Sequence, residues 1–288
     1  MRAFVTGATG TVGGEVFRAL LARGIDVRVG ARDVRRAASA LPAVEDVVGL
    51  DFEDPKEIDV SIFESVDALF FMTPLIDRQI TASRRVLEAA VAGGVSQVVR
   101  LSSRSAGWDF QSALRAWHRE IEDSVRGSGA KWTILRPCSF FQNFVRHQSD
   151  TIRSMSAIIV PQGNGLIPYI DAADIGDVVA ECIVEPGPHH GRTYVLTGSR
   201  AYGVKGVAAE IGRVIGRPIT YIDVDADQAR DMMARAGIPP WLVEAGLAVF
   251  AHAKAGGEAE VDPSLSRILR RPPTTLSEFV ERNRAAWE

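Results

Sequence analysis

Short apolar runs alternate with amphipathic stretches through the first half of the chain. Residues 3–5, 26–30, 44–49, 68–72, 97–101 and 132–135 read as strands. The run 68–72 is apolar at every position, the pattern of a strand covered on both faces. Between these strands, 12–23, 79–92 and 112–126 carry apolar residues near helical spacing. Gly24 and the pair Gly93-Gly94 stop the first two of those helices. Strand–helix alternation of this kind predicts an α/β fold, a doubly wound parallel sheet of Rossmann type.

The rhythm changes after Pro137. Helices are predicted at 139–155, 171–184, 204–215, 225–235, 239–255 and 275–287, with short strands at 194–196 and 219–224. The expected layout is a nucleotide-binding sheet domain over 1–138. Residues 139–288 then supply the remaining sheet segments and a smaller C-terminal α/β lid that binds substrate, built mainly from about 185 onward.

Composition narrows the partners. With 46% hydrophobic and 24% charged residues, the chain sits in the ordinary globular range. A formal net charge of -3 gives no support to nucleic acid or an anionic membrane as partner. No apolar run approaches the roughly 20 residues that span a bilayer, and the first strand begins at once, so a cytoplasmic protein is expected. Cys138 and Cys182 are isolated and read as small core residues. His147, His189, His190 and His252 follow no metal-ligand spacing and read as surface residues; no metal is expected.

The informative chemistry lies at the N-terminus. Strand one runs into Thr6-Gly7-Ala8-Thr9-Gly10-Thr11-Val12-Gly13-Gly14, a Gly-x-x-Gly-x-x-Gly spacing between an apolar strand and an amphipathic helix. In that context Gly7 permits the tight turn, Gly10 lets backbone approach a pyrophosphate, and Gly13 lets helix and strand pack closely. The N–H groups of Thr11, Val12 and Gly13 at the helix start favour bound phosphate. The second strand ends in Arg28-Val29-Gly30-Ala31-Arg32-Asp33. An acid there marks NAD, whereas an arginine meets the 2′-phosphate of NADP. Arg32 has that position, with Arg35 and Arg36 as helpers, and Asp33 is suited to cap the next helix. NADP(H) is the expected cofactor.

Over nearly its full length the chain resembles the atypical short-chain dehydrogenase/reductases, specifically the NmrA-like group. The resemblance rests on Gly7 to Gly13, on Gly49-Leu50-Asp51-Phe52, on Phe71-Met72-Thr73-Pro74 and on Glu122. It continues in Ser128-Gly129-Ala130-Lys131-Trp132-Thr133-Ile134-Leu135-Arg136-Pro137, in Phe140-Phe141-Gln142-Asn143 and in Ile167-Pro168-Tyr169-Ile170-Asp171-Ala172-Ala173-Asp174-Ile175-Gly176-Asp177. It implies that Asp51 and Phe52 lie against the adenine, and that Met72, Thr73 and Pro74 pass the ribose and nicotinamide. It also implies that Ser102, Ser103 and the loop from Pro137 to Phe140 flank the nicotinamide.

One departure matters. Active members of the wider superfamily use a Tyr-x-x-x-Lys pair for proton transfer, and here Leu114 stands at the Tyr position and His118 at the Lys position. No tyrosine lies between Asp54 and Pro168. His118 is expected to titrate near neutrality and to bond the ribose or the substrate oxygen. His118, Ser102 and Ser103 are the candidate catalytic residues. Trp108, Phe110, Phe140, Phe141, Phe144 and Trp241 are candidates to wall an aromatic pocket. The resemblance implies a monomeric or homodimeric NADPH-dependent reductase of a planar aromatic carbonyl or quinone, such as a ketoreductase of aromatic polyketide antibiotic biosynthesis. The alternative is an NADP(H)-binding redox sensor that acts through a protein partner.

Overall fold

A computed structural model of the chain describes residues 1–41, 43–54, 58–109 and 112–288. The strands are β1 (Arg2–Thr6), β2 (Asp26–Ala31), β3 (Asp46–Gly49), β4 (Ala68–Phe71), β5 (Gln97–Leu101), β6 (Lys131–Pro137), β7 (Ala157–Val160), β8 (Arg192–Leu196) and β9 (Thr220–Asp223). Seven form one sheet in the order β3-β2-β1-β4-β5-β6-β8, and β7 pairs with β9 in a second, parallel ribbon. The pairs from β3 through β6 are all parallel. Chain order reverses between β1 and β4. That is the topological switch point at which open α/β sheets bind their ligands, beyond the strand C-termini.

The helices that follow these strands are α1 (Thr11–Ala22), α2 (Val34–Ala40), α3 (Gln79–Ala92), α4 (Ala113–Arg126), α5 (Gln142–Met155) and α6 (Ala172–Val184). The rest are α7 (Pro186–His189), α8 (Val204–Ile215), α9 (Ala226–Arg235), α10 (Pro240–Lys254), α11 (Ser264–Leu269) and α12 (Leu276–Arg282). Among the described residues, no helix is long and apolar enough to cross a membrane.

The described residues fall into two compact units. The first comprises Met1–Pro137 with Ala172–Val195, the second Cys138–Asp171 with Leu196–Glu288. The second unit thus recruits Cys138–Asp171 as well as the C-terminal part expected to build the lid.

Within the first unit, β4 and β5 are buried at every position. Burial on both faces selects the continuous apolar run from which β4 was read. α6 returns to pack on α1, and the approach is close enough that a Cβ on Gly176 would sit 2.7 Å from the carbonyl oxygen of Glu15. His189 departs from the surface role expected of it, whereas His190 is exposed as expected. His189 is buried, with Nδ1 3.0 Å from the Tyr194 hydroxyl, and His190 accepts the Trp132 N–H through Nδ1 at 3.2 Å. Both stitch the α7 turn onto the sheet.

The second unit has its own core. Phe141 stacks on Phe279 with ring centroids 5.2 Å apart, and Trp287 is fully buried beside Phe279. Phe141 therefore belongs to this core. Trp108 is buried in the first unit and Phe144 in the second, while Phe140 and Trp241 are half-buried in the second. Phe110 lies outside the described residues.

Candidate active site

The turn after β1 is built around backbone. Gly7 has φ +68, in the left-handed region that glycine alone enters without strain. Its carbonyl accepts the Gly10 N–H at 2.9 Å, and α1 then starts from Gly10 with no side-chain cap. A Cβ on Gly13 would fall 2.1 Å from the Gly7 oxygen, and one on Gly10 would fall 3.2 Å from the same atom. The three glycines thus shape one cradle with a helix N-terminus at its floor, the arrangement that holds a pyrophosphate. Thr9 is exposed in the turn, while Thr11, Val12 and Gly13 form the first turn of α1.

The opposite wall comes from β4. Thr6 clamps it, accepting the Met72 N–H at 2.8 Å and donating to the Met72 carbonyl at 2.7 Å. Met72 is thereby held so that its Cε lies 2.2 Å from where a Gly7 Cβ would be. Thr73 is fixed in turn, its hydroxyl accepting from the Arg100 guanidinium at 3.1 Å. Pro74 follows, exposed.

Arg100 was not foreseen. It sits in β5, 1% exposed, and also donates to the Phe71 carbonyl at 3.1 Å. Its Nε has no partner among the described residues, and burial pulls its pKa down to about 9, with the nearby Glu122 carboxylate opposing. The signal was present: a cation in the middle of a strand buried at every position marks a local polar network.

At the end of β2, Arg32 is exposed, and its nearest carboxylate is Glu53 at 3.5 Å. Arg35 and Arg36 are exposed on the first turn of α2 and make no ion pair among the described residues. Asp33 accepts the Arg36 N–H at 2.9 Å as the cap of α2, which leaves the arginines as the groups that distinguish the strand end. Asp51 accepts the Glu53 N–H at 2.9 Å, and Phe52 packs half-buried against the sheet core.

Two of the candidate catalytic residues behave differently from expectation. Ser102 donates to Glu122 at 2.6 Å, so its proton is committed to a buried carboxylate. That carboxylate also receives Arg136 through two bonds, at 2.8 and 2.6 Å, and Arg126 at 2.9 Å. Ser102 is a member of this charge cluster, not a donor awaiting substrate. Ser103 differs: its hydroxyl accepts from the Ser105 N–H at 3.2 Å and the Ser105 hydroxyl at 2.9 Å, leaving its own proton without an acceptor among the described residues.

His118 lies on α4, half-buried, with Nδ1 sealed from solvent and without a partner among the described residues. Burial lowers its pKa to about 3, and the positive charges of Arg100 and Arg136 push the same way against Glu122. The expectation that it titrates near neutrality is therefore corrected: the ring is neutral at neutral pH. The folded value lies below the unfolded one of about 6.5, so the unfolded chain binds the extra proton between them. Stability is expected to fall as pH drops from about 6.5 toward 3, and acid unfolding of His118→Leu, followed by circular dichroism, should be shifted to lower pH. An unchanged acid midpoint would contradict the buried-neutral assignment.

Leu114, at the vacant tyrosine position one turn earlier, is half-buried and brings no hydroxyl. Tyr169 does not replace it, because it is buried in the second unit and donates to Gln162 at 2.8 Å. Pro137 ends β6 in the first unit, whereas Phe140 belongs to the second, bridged to Ile170.

Residues 2–280 match the model of the NmrA-like family. A (4-alkanoyl-5-oxo-2,5-dihydrofuran-3-yl)methyl phosphate reductase of Streptomyces griseus is 33% identical over 93% of each chain. An NAD(P)H azoreductase of Xenophilus azovorans is 29% identical over 98% of each. Among solved structures, an NADPH-dependent quinone oxidoreductase of Escherichia coli complexed with NADPH superposes with a TM-score of 0.83 at 25% identity, covering 98% of this chain and 99% of the other.

Proposed function

The chain belongs to the NmrA-like family, and on that premise we propose that it is an NADPH-dependent reductase of planar aromatic carbonyl compounds or quinones. The observation that carries the reading is the glycine cradle at the switch point, where any Cβ on Gly13 would collide with the Gly7 backbone. Gly7, Gly10, Gly13 and the start of α1 would hold the pyrophosphate, with Arg32 and Arg35 at the 2′-phosphate. Asp51 and Phe52 would meet the adenine side, and Met72, Thr73, Pro74 and Pro137 the ribose and nicotinamide side. NADPH supplies a hydride when bound. The activities of similar proteins, azo and quinone reduction in particular, support the same class.

The protein's own part is to position and to shield. Ser103 offers a free hydroxyl proton to a substrate oxygen. Neutral His118 offers a hydrogen bond to ribose or substrate but holds no spare proton at neutral pH. The proton that completes reduction comes from water or from a hydroxyl on the substrate itself, as in phenolic quinones. A finer reading, ketone reduction on an aromatic polyketide, fits a substrate that carries such a hydroxyl.

Arg32 is exposed, so its value lies in a charge-assisted contact with the 2′-phosphate, roughly 1.5–3 kcal/mol. Arg32→Ala should therefore weaken NADPH binding at least about tenfold and leave NADH nearly unchanged. Equal affinity of the wild type for the two cofactors, by titration, would sink this assignment.

Consumption of NADPH with a panel of naphthoquinones and hydroxylated aromatic ketones tests the function. Turnover with at least one of them is expected. The absence of the tyrosine at Leu114 favours a second reading, an NADP(H)-binding sensor. Tight NADPH binding with no turnover across the panel would establish it.

A further inference from the structure

The second unit contains a pocket of about 590 Å³ whose lining belongs entirely to that unit. Volumes of this size hold small molecules. Its walls are mainly apolar, from Phe144, Ile167 and Tyr169 on one side and Met232, Met233 and Phe250 of α9 and α10 on the other. Aromatic faces and adaptable thioethers suit a flat, apolar body.

The polar groups in these walls decide what that body must carry. Tyr169 donates to Gln162 at 2.8 Å, and Gln162 donates onward to the Gly165 carbonyl at 2.9 Å, so both are spent on the protein. The amide oxygen of Gln148 accepts the Ile159 N–H at 3.1 Å. Asn143 and Ser139 differ. Both line the pocket half-buried, and neither side chain has a hydrogen bond to any described residue. An amide N–H and a hydroxyl in an apolar wall match the oxygens of a ligand. Ser139 also stands only two residues after Pro137, the last residue of β6.

We infer that this pocket receives the fused-ring body of the substrate, and that Asn143 and Ser139 bind its carbonyl oxygen, making them specificity-determining residues. The inference rests on the reductase reading. It names the substrate class as fused aromatic compounds of two or three rings bearing a carbonyl, not hydrocarbons of the same shape.

Calorimetric titration of the full chain saturated with oxidised NADP tests it, because no turnover then intervenes. The probes are menadione, a naphthoquinone, and naphthalene, which lacks the oxygens. Asn143→Ala and Ser139→Ala should each weaken menadione binding by roughly three- to tenfold, the value of one neutral hydrogen bond, and leave naphthalene unchanged. Val249→Trp, which places an indole in the cavity, should abolish binding of both probes. NADP affinity, titrated separately, should be unchanged in Asn143→Ala and Val249→Trp and reports that they are folded, and a wild-type circular-dichroism spectrum and melting temperature report it for Ser139→Ala. The inference is overturned if menadione fails to bind the NADP-loaded wild type, or binds it and both alanine variants equally. It is also overturned if Val249→Trp retains both probes. Failure of the wild type to bind NADP would instead remove the reductase reading, and the same probe titrations on the full chain would still judge the pocket.

Discussion

Gly13→Ala is expected to lower NADPH affinity by about 10² to 10⁴-fold. The added methyl would sit 2.1 Å from the Gly7 carbonyl oxygen and 2.4 Å from its carbon, both main-chain atoms with no freedom to swing aside. The turn must shift, and with it the N–H groups at the start of α1 that face phosphate. Loss of two charge-assisted hydrogen bonds at roughly 1.5–3 kcal/mol each accounts for the range. Gly24→Ala is the control. Gly24 also has a positive φ, +71, but nothing lies within 4 Å of its would-be Cβ. It should cost only backbone strain, about 1 kcal/mol of stability, with NADPH affinity kept. Equal affinities for Gly13→Ala and wild type would show that the cradle does not hold the cofactor.

The largest loss of stability is expected from Glu122→Ala. Glu122 has no exposed surface and anchors Arg136, Arg126 and Ser102 together. Its carboxylate also offsets the buried charge of Arg100. Removing one partner of a buried pair leaves the other charges uncompensated, at a cost of about 3–5 kcal/mol. For a chain of this size that lowers Tm by about 10 °C. Glu122→Gln keeps the shape and hydrogen-bonding capacity and should lie between the two. Because Arg100 holds Thr73 against the cofactor wall, NADPH affinity should fall along with Tm. A melting curve within 2 °C of wild type would mean that the cluster contributes little.

Much of the first unit was legible because its signals are local. The strand read at 97–101 is β5 to the residue, and 171–184 differs from α6 by one residue. The Gly-x-x-Gly-x-x-Gly spacing carries its own context, a strand before it and a helix after it. What could not be read depends on distant partners. β7 is a four-residue apolar run wedged between a helix and Pro161, and it becomes a strand only by pairing with β9 some sixty residues on. The helix expected over 275–287 ends at Arg282, and a short helical turn, Arg284–Ala286, follows Asn283.

The same division holds within the site. Arg32 and the glycines are legible because each acts from its own loop. Ser102 read as a candidate catalytic residue, and its bond to Glu122 could not be foreseen, because that carboxylate lies twenty residues away and is itself held by Arg136. The titration of His118 was misread for the same reason. A histidine flanked in sequence by Arg119 and Glu120 looks solvated, yet its neighbours in space are Arg100, Arg136 and Glu122.

The central claim is that this chain reduces a carbonyl or quinone with NADPH and needs no titrating protein acid. Single-turnover oxidation of bound NADPH by a naphthoquinone, followed from about pH 5 to pH 8, tests it most directly, since that is the window in which an ordinary histidine changes charge. The expected result is complete oxidation at a rate that varies less than about threefold across the window, because His118 stays neutral throughout. NADPH that remains reduced would contradict the enzyme reading. A rate that falls about tenfold for each pH unit would show that a protein acid with a pKa in that window delivers the proton.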